Sequence, residues 1–442
     1  MLKQLLPFAF VLSFLQSHAQ SDLSASIDQK AQSLEKKLVE WRRDFHQNPE
    51  LGNREFKTAE KVANHLKQLG IEVQTGVAHT GVVGLLKGGK PGPVVALRAD
   101  MDGLPVTERV DVPFKSNVVV DYNGQKTGVM HACGHDTHVA ILMGVAEVLA
   151  GMKSEIPGTI KFIFQPAEEG APQGEEGGAK LMVKEGVLEN PAVEAIFGLH
   201  IDALIEVGKI AYKPGATMAA VDFFSIDVKG KQTHGAYPWS GVDPIVTSSQ
   251  IIMGLQTIVS RNLNLTQAPA VVTVGAVNGG IRENIIPESV KMIGTVRTFD
   301  EGMHTYVHKR MHEIATNIAE SAGATAKVNI NVMYPVTFNN EALTAKMIGT
   351  LNNVAGKSNV YLIPAKTGAE DFSYFQQKVP GFFFFLGGMP KGKSVEAAAP
   401  HHTPDFYVDE SSLVLGVRSL SRLATDYLQM ANTGNVKKTK SK

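Results

Sequence analysis

The segment His131-Ala-Cys-Gly-His-Asp-Thr-His138 places three histidines and an aspartate around Cys133, the chain's only cysteine. Thiolate and imidazole are the side chains that bind borderline-soft divalent metals best. A thiol two residues from an imidazole, with no disulfide partner to occupy it, is therefore a metal-site candidate. Taken alone, a Cys-x-His pair is more often a small buried thiol beside surface histidines. The rest of the chain reverses that balance.

Carboxylates supply the other half of such chemistry. Glu168 and Glu169 are adjacent, so one can bind a cation while its neighbour, pointing elsewhere, serves as general base. The base acts on a water whose pKa a metal lowers from about 15.7 toward about 7. The ordinary alternatives stay open at this point: paired Glu is often a solvated surface, and Asp after a strand often caps a helix.

The apolar pattern supplies elements to bring these groups together. Leu34, Leu38, Trp41 and Phe45 keep helical spacing within 24–48, Pro49 interrupts, and a second helical stretch covers 53–69 before Gly70. Apolar runs at 82–87, 94–98, 159–164 and 195–199 read as strands, with helices at 139–152 and 177–185 between them. That alternation predicts a mostly parallel α/β sheet covered on both faces. In such sheets, sites gather just past the carboxyl ends of strands. The run 94–98 leads into Asp100 and Asp102, 159–164 into Glu168 and Glu169, and 195–199 into His200. One such coincidence is weak; three on one edge are not.

Near residue 216 the pattern changes. Strands at 223–229, 270–277, 289–298 and 326–333 interleave with helices at 244–258 and 302–322. This β-α-β-β-α-β order predicts a split-βαβ, ferredoxin-like α+β unit inserted into a discontinuous α/β domain. Helices at 344–353 and 411–430 then flank a buried strand at 382–386.

With 43 basic and 43 acidic residues the formal net charge is zero, so the chain lacks the basic field that nucleic-acid binding needs. The run Lys437-Lys-Thr-Lys-Ser-Lys442 reads as a solvated tail. Lys3 precedes an apolar run at 5–15, and Ser17-His18-Ala19 offers a small-x-small cleavage site before Gln20. That is the layout of a secretory signal peptide at 1–19, and it predicts export to the periplasm or the medium. No later segment approaches the ~20 apolar residues of a membrane helix, so no membrane association is expected once the signal is removed. A single cysteine forms no internal disulfide, which leaves Cys133 without a structural bridge to explain it.

Read in order, the strings RRDFHQNPELG, RADMDGLPVTE, MHACGHDTHVAILMG, FQPAEEG, GLH, THGAYPWSGVDPI, GGIRENIIP, GAEDFSYF and HHTPDF span Arg42 to Phe406. Through them the chain resembles the metal-dependent amidohydrolases that include hippurate hydrolase, N-acyl-amino-acid deacylases and the plant auxin-conjugate hydrolases. These form a branch of the wider group of aminoacylases and glutamate-releasing carboxypeptidases. The resemblance implies a catalytic domain at 20–215 and 334–442, with a lid and dimerisation domain inserted at 216–333. It implies cleavage of the amide joining an acyl group, hippurate-like or N-acetyl, to an amino acid. A dipeptidase or carboxypeptidase acting on short peptides with the same centre is the alternative.

Carried over position by position, the resemblance implies metal ligands at Cys133, His135, Glu169, His200 and His402, with His401 as the alternative to the last. Glu168 would be the general base and later the proton donor to the leaving amine. His234 would stabilise the tetrahedral oxyanion in the site of a partner subunit, making the protein a homodimer. Asn284 would touch the substrate at its carboxylate end. The wider group has His-x-Asp where this chain reads Asp100-Met-Asp102, and an acidic bridging ligand in the region of Cys133; the hippurate-hydrolase branch shares both changes. A thiolate, imidazoles and a carboxylate suit Zn²⁺, Mn²⁺, Co²⁺ or Ni²⁺, and two ions roughly 3.5–4 Å apart are expected. Asp102 and Asp136 are expected to orient ligating histidines rather than bind metal. Elsewhere, His131 and His138 lie either beside the ligands or at the surface, and His46 serves packing. Tyr237 and Trp239 line the substrate cavity or pack the lid, and Glu370 and Asp371 shape the active-site rim.

Overall fold

The computed structural model describes residues 23–439, with side chains to residue 432; the expected signal peptide and the side chains of the basic tail lie outside the described residues. Helices α1 (Ser24–Ser33), α2 (Glu35–Gln47) and α3 (Phe56–Gln68) come first, then a hairpin of β1 (Glu72–Val77) and β2 (Gly81–Lys87), then β3 (Lys90–Asp100). A second hairpin, β4 (Val119–Tyr122) and β5 (Gln125–Gly128), precedes α4 (His135–Ala150), β6 (Pro157–Gln165), α5 (Gly178–Lys184), β7 (Ala195–Glu206) and β8 (Ile210–Tyr212). After the short β9 (Gly215–Met218) come β10 (Ala220–Lys229), β11 (Thr233–His234), α6 (Pro244–Thr257), β12 (Ala270–Gly279) and β13 (Ile285–Ile286). Next stand β14 (Ser289–Thr298), α7 (Glu301–Ser321) and β15 (Thr325–Tyr334). The chain closes with β16 (Thr337–Asn339), α8 (Glu341–Ala355), β17 (Val360–Leu362), α9 (Ser373–Gln376), β18 (Gly381–Met389) and α10 (Leu413–Thr439).

The larger sheet runs β1-β2-β6-β3-β7-β18-β8-β17. Its centre, β6-β3-β7-β18, is parallel, and antiparallel pairs flank it. Parallel strands need both faces covered, so they read as unbroken apolar runs. In Phe382-Phe383-Phe384-Phe385 the rings alternate: Phe382 and Phe384 enter the core with α4 and α10, Phe383 and Phe385 the core with α5 and α9. Helix α4 is buried on nearly every side, which explains its almost wholly apolar sequence.

The smaller unit is a four-stranded antiparallel sheet in the order β12-β14-β10-β15. Helices α6 and α7 cover one face and meet Phe224, Ile226 and Met292. Asp243 and Asp300 cap the two helices through their side chains, and Pro244 follows at the first helical position of α6. This is the split-βαβ arrangement the element order predicts. The chain enters and leaves the unit beside β9 and β16, which pair with each other (Met218 opposite Thr337).

Two expected boundaries shift. Strand β7 runs through His200, because Ile201 and Asp202 continue the ladder with Leu386 and Gly387 of β18; the histidine projects from the strand rather than following it. The stretch 24–48 is two helices meeting at Leu34.

Candidate metal centre

The centre is assembled by three chain reversals above the parallel strands. Gly134 has φ 95°, a left-handed conformation natural to glycine, and a Cβ there would lie 2.3 Å from Ile201 Cγ2. This turn puts Cys133 just ahead of α4 and His135 on its first turn. Ala167 (φ 50°) reverses the chain after β6, and His402 (φ 63°) turns in the loop after β18.

Hydrogen bonding decides what each imidazole can offer. His135 Nδ1–H donates to the Asp102 carbonyl (2.8 Å). That leaves Nε2 as a lone pair, buried without a hydrogen-bond partner, 3.8 Å from Glu168 Oε2 and 4.0 Å from Glu169 Oε1. His200 Nδ1–H donates to the Ile201 carbonyl (2.6 Å), and its free Nε2 stands 3.3 Å from Cys133 Sγ. His402 Nε2 lies 3.3 Å from the same sulfur and 3.0 Å from Glu169 Oε1. His401 differs. Its Nε2 accepts the Ala203 N–H (3.2 Å) and its Nδ1–H donates to the Cys133 carbonyl (3.2 Å), so both nitrogens are committed. His138 is spent likewise, donating to Asp100 Oδ1 (2.5 Å) and accepting the Ile201 N–H (2.8 Å). His131 is buried with neither nitrogen bonded, and burial lowers its pKa to about 4.

The electrostatics ask for positive charge. Burial, then Glu169, Glu168 and Asp100, push the Cys133 thiol well above its ordinary pKa. Burial, then Glu370, Glu169 and Asp371, do the same to Glu168. Burial draws His135 down, but Asp100 and Asp102 outweigh it and raise the group to about 10. A bound divalent cation would relieve all three at once, taking the place of the protons on sulfur and imidazole and offsetting the carboxylates. Cys133, Glu169 and His402 can hold one ion together, as can His135 with the two glutamates. The residues fit a metal pair.

Two buried carboxylates suspend the loop that carries Glu168. Asp102 Oδ1 and Oδ2 accept the N–H groups of Glu168 and Glu169 (3.0 Å each), while Glu55 Oε1 accepts the N–H of Ala167 (2.8 Å) and its Oε2 the Thr80 hydroxyl (2.5 Å). Tyr334, at the end of β15, donates its hydroxyl to the Glu168 carbonyl (2.6 Å). Asp102 thus serves His135 through its backbone and the glutamate loop through its carboxylate. Beneath them Arg98 is buried against Asp100 (2.7 Å), Glu370 (2.9 Å) and Asp371 (3.0 Å).

Several expectations need correction. Asp136 orients no ligating histidine; it bonds Arg42 Nε and His46 Nδ1 (2.8 Å each). His46 also reaches Glu108 (3.1 Å), so it belongs to a buried charge network rather than to apolar packing. Glu370 lines the cavity over the centre as expected, whereas Asp371 lies beneath it, and Arg98 holds both. The structure brings together Cys133, His135, Glu168, Glu169, His200, His402 and Asp102. A cavity of about 590 Å³ opens over them, closed on the far side by Val221, Arg297 and Tyr334 of the smaller unit. His234 and Asn284 do not line it. They neighbour one another across β11 and β13, where Gly235 N–H donates to the Asn284 carbonyl (2.8 Å). The side chains of Tyr237 and Trp239 stack outward there, 54% and 78% exposed.

Residues 96–426 match the sequence profile of peptidase family M20/M25/M40. The chain belongs to that family. Thermostable carboxypeptidase 2 of Saccharolobus solfataricus is 41% identical over 408 residues, covering 92% of this chain and 99% of its own length. The N-acetyl-L-cysteine deacetylase of Bacillus subtilis is 38% identical and covers 86% of each chain. Among solved structures of the M20 family, the Bacillus subtilis YXEP protein, a dinuclear metal binding peptidase, superposes with a TM-score of 0.74 at 35% identity, over 90% of this chain and 99% of its own.

Proposed function

We propose that this M20/M25/M40 member hydrolyses N-acyl amino acids, with Glu168 moving the proton and Cys133, His135, Glu169, His200 and His402 holding two divalent cations. As a member of this family the protein is a metal-dependent amidohydrolase. The observation that carries the residue assignment is the convergence of three imidazole nitrogens on a buried thiol and two carboxylates, with His135 Nε2 buried and without a hydrogen-bond partner. Bound cations would polarise the scissile carbonyl and acidify water. Burial and neighbouring carboxylates raise the proton affinity of Glu168; ionised when cations occupy the centre, it would accept a proton from the attacking water and return it to the leaving nitrogen. Arg297 faces the cavity with only the Thr367 carbonyl (3.4 Å) as a hydrogen-bond partner among the described residues. Its guanidinium is free to meet the substrate carboxylate.

The reading includes a homodimer in which His234 and Asn284 serve the site of the partner subunit. Its support is their distance from their own cavity and the apolar surface around them: Tyr237, Trp239 and a 98% exposed Ile281. Co-expressing Glu168→Gln with His234→Ala chains tests this, because mixed dimers then contain one site intact in both residues. Activity above either parent supports the shared site; none counts against it. The segment 1–19 is read as an export signal, which places Gln20 at the mature N-terminus.

Short peptides are the second substrate class, favoured by the 41% identical carboxypeptidase. The deciding assay measures amino-acid release from hippurate, N-acetyl amino acids and dipeptides, using protein stripped of metal and reloaded with Zn²⁺, Mn²⁺, Co²⁺ or Ni²⁺. Metal-restored cleavage of the N-acyl substrates is expected. Turnover confined to peptides with free amines would shift the reading to a peptidase.

A further inference from the structure

We propose that the acyl half of the substrate lies in a second cleft on the other side of Glu169, and that the β4–β5 hairpin selects bulky apolar acyl groups there. The proposal rests on the amidohydrolase reading and names the substrate class within it. An amide held at the centre must send its two halves in different directions. The cavity under the smaller unit contains Arg297, which has no ion-pair partner among the described residues and suits the carboxylate of the amino-acid half; Lys366 nearby is paired with Asp202. A larger cleft of about 870 Å³ shares Glu169 with it, reaches Asp102, and is lined by the larger domain alone.

The chemistry of that cleft is different. Pro49, Leu51, Leu104 and Pro105 form one apolar wall, and Val120 and Tyr122 of β4 the other; Arg54, ion-paired with Glu175 (2.6 Å), and the charged Lys57 and Asp121 share the lining. Side chains alternate along a strand, so Val120 and Tyr122 share the face that looks into the cleft while Val119 points away. The first wall is firmly held: Leu51 bridges to Gly103, and Leu104 to Met130. Tyr122 remains largely exposed, an aromatic ring on a short hairpin with one face uncovered. Volumes of several hundred Å³ hold ligands of drug size. An acetyl group would leave nearly all of this cleft to water, whereas an aryl or long alkyl acyl group would cover Val120 and Tyr122.

The test compares kcat/KM for N-acetyl, N-benzoyl and N-decanoyl forms of one amino acid, using metal-loaded wild type, Val120→Trp and Tyr122→Ala. The expected result is a wild-type preference of about tenfold or more for the bulky acyl groups. Val120→Trp should remove that preference, and Tyr122→Ala should reduce it, each by lowering kcat/KM for the bulky substrates more than for the N-acetyl one, with oligomeric mass unchanged. Equal rates on all acyl groups, or a preference that survives Val120→Trp, would overturn the pocket while leaving the amidohydrolase reading intact. Loss of every activity together with the dimer would assign the cleft to a partner subunit and overturn the proposal. Failure of wild type on all three substrates, with cleavage of dipeptides, would overturn both readings.

Discussion

Glu55 is the strongest test of how the catalytic loop is held. Its carboxyl is fully buried, forms no ion pair among the described residues, and burial together with the charge of Asp102 raises its pKa to about 8. Near neutral pH it is therefore mostly a neutral acid whose two oxygens hold the Ala167 N–H and the Thr80 hydroxyl. Glu55→Gln keeps the size, the neutrality and the acceptor for Ala167. Glu55→Ala leaves a buried N–H unpaired, at about 1–3 kcal/mol, and removes a buried methylene, about 0.8 kcal/mol. The same bond helps keep Ala167 in its left-handed conformation, which otherwise costs about 1–2 kcal/mol. Together these predict a loss of roughly 3–6 kcal/mol. Because Glu168 is the next residue, a displacement on the order of 1 Å would lower kcat about 10²-fold. Urea denaturation of the metal-free proteins and steady-state kinetics of the loaded ones give both numbers. If Gln proves as damaging as Ala, the charge rather than the acceptor matters and the reasoning fails. It fails equally if Ala leaves stability and rate untouched.

Glu168→Gln should retain metal by elemental analysis and lose roughly 10²–10⁴-fold in kcat, whereas Cys133→Ala should lose metal; an active Gln variant would remove Glu168 from its role. His402→Ala should weaken metal binding in competition titrations. His401→Ala should preserve metal stoichiometry and lower stability, since both its nitrogens are committed to backbone groups; the reverse result would exchange the two residues. In the smaller unit Asp222 Oδ2 contacts His304 and His308 (2.6 Å each). Burial draws His304 down, but the Asp222 hydrogen bond and charge outweigh it and its pKa is raised. Burial pushes Asp222 up, but the two histidines outweigh it and its pKa is lowered. The histidine contribution is therefore complete below about pH 6.5 and fades as pH rises through the folded pKa, while the aspartate contribution holds above about pH 4. The stability gap between wild type and Asp222→Asn should be widest near pH 5 and narrower at pH 9, by thermal melts; a gap independent of pH would contradict the pairing.

What the sequence reveals depends on how far away a residue's partner lies. Cys133, His135, Glu168, Glu169 and His200 are legible because strand ends gather the glutamates and His200 on one edge, and because the motifs that contain all five resemble those of a known family. The rings 382–385 declare a buried parallel strand outright. Glu55 is opaque, since its partner Ala167 stands far along the chain and a glutamate before a helix reads as solvated. Asp136 misleads through adjacency: successive residues of a helix diverge by about 100°, so it faces Arg42 on α2 while His135 faces the centre. Arg98 left a signal in the sequence, a cation at the end of the apolar run 94–97. Asn123-Gly124, both left-handed, marks the β4–β5 hairpin in the usual way, yet its importance appears only with the cleft it borders.

The pairing of β9 with β16 has a consequence for how the chain folds. Strand β18 must register beside β7, Phe382 opposite Phe197, across a long intervening segment, most of which forms the smaller unit. Closing so long a loop of disordered chain is slow. Once the smaller unit has formed, its two ends emerge side by side, and the effective loop shrinks to β8 on one side of that ribbon and to α8, β17 and α9 on the other. Assembly should then run from the inside outward, with amides of β10 and β14 protected from pulsed hydrogen exchange before those of β18. Substitutions in the α6–α7 core would then slow closure of a sheet they never touch.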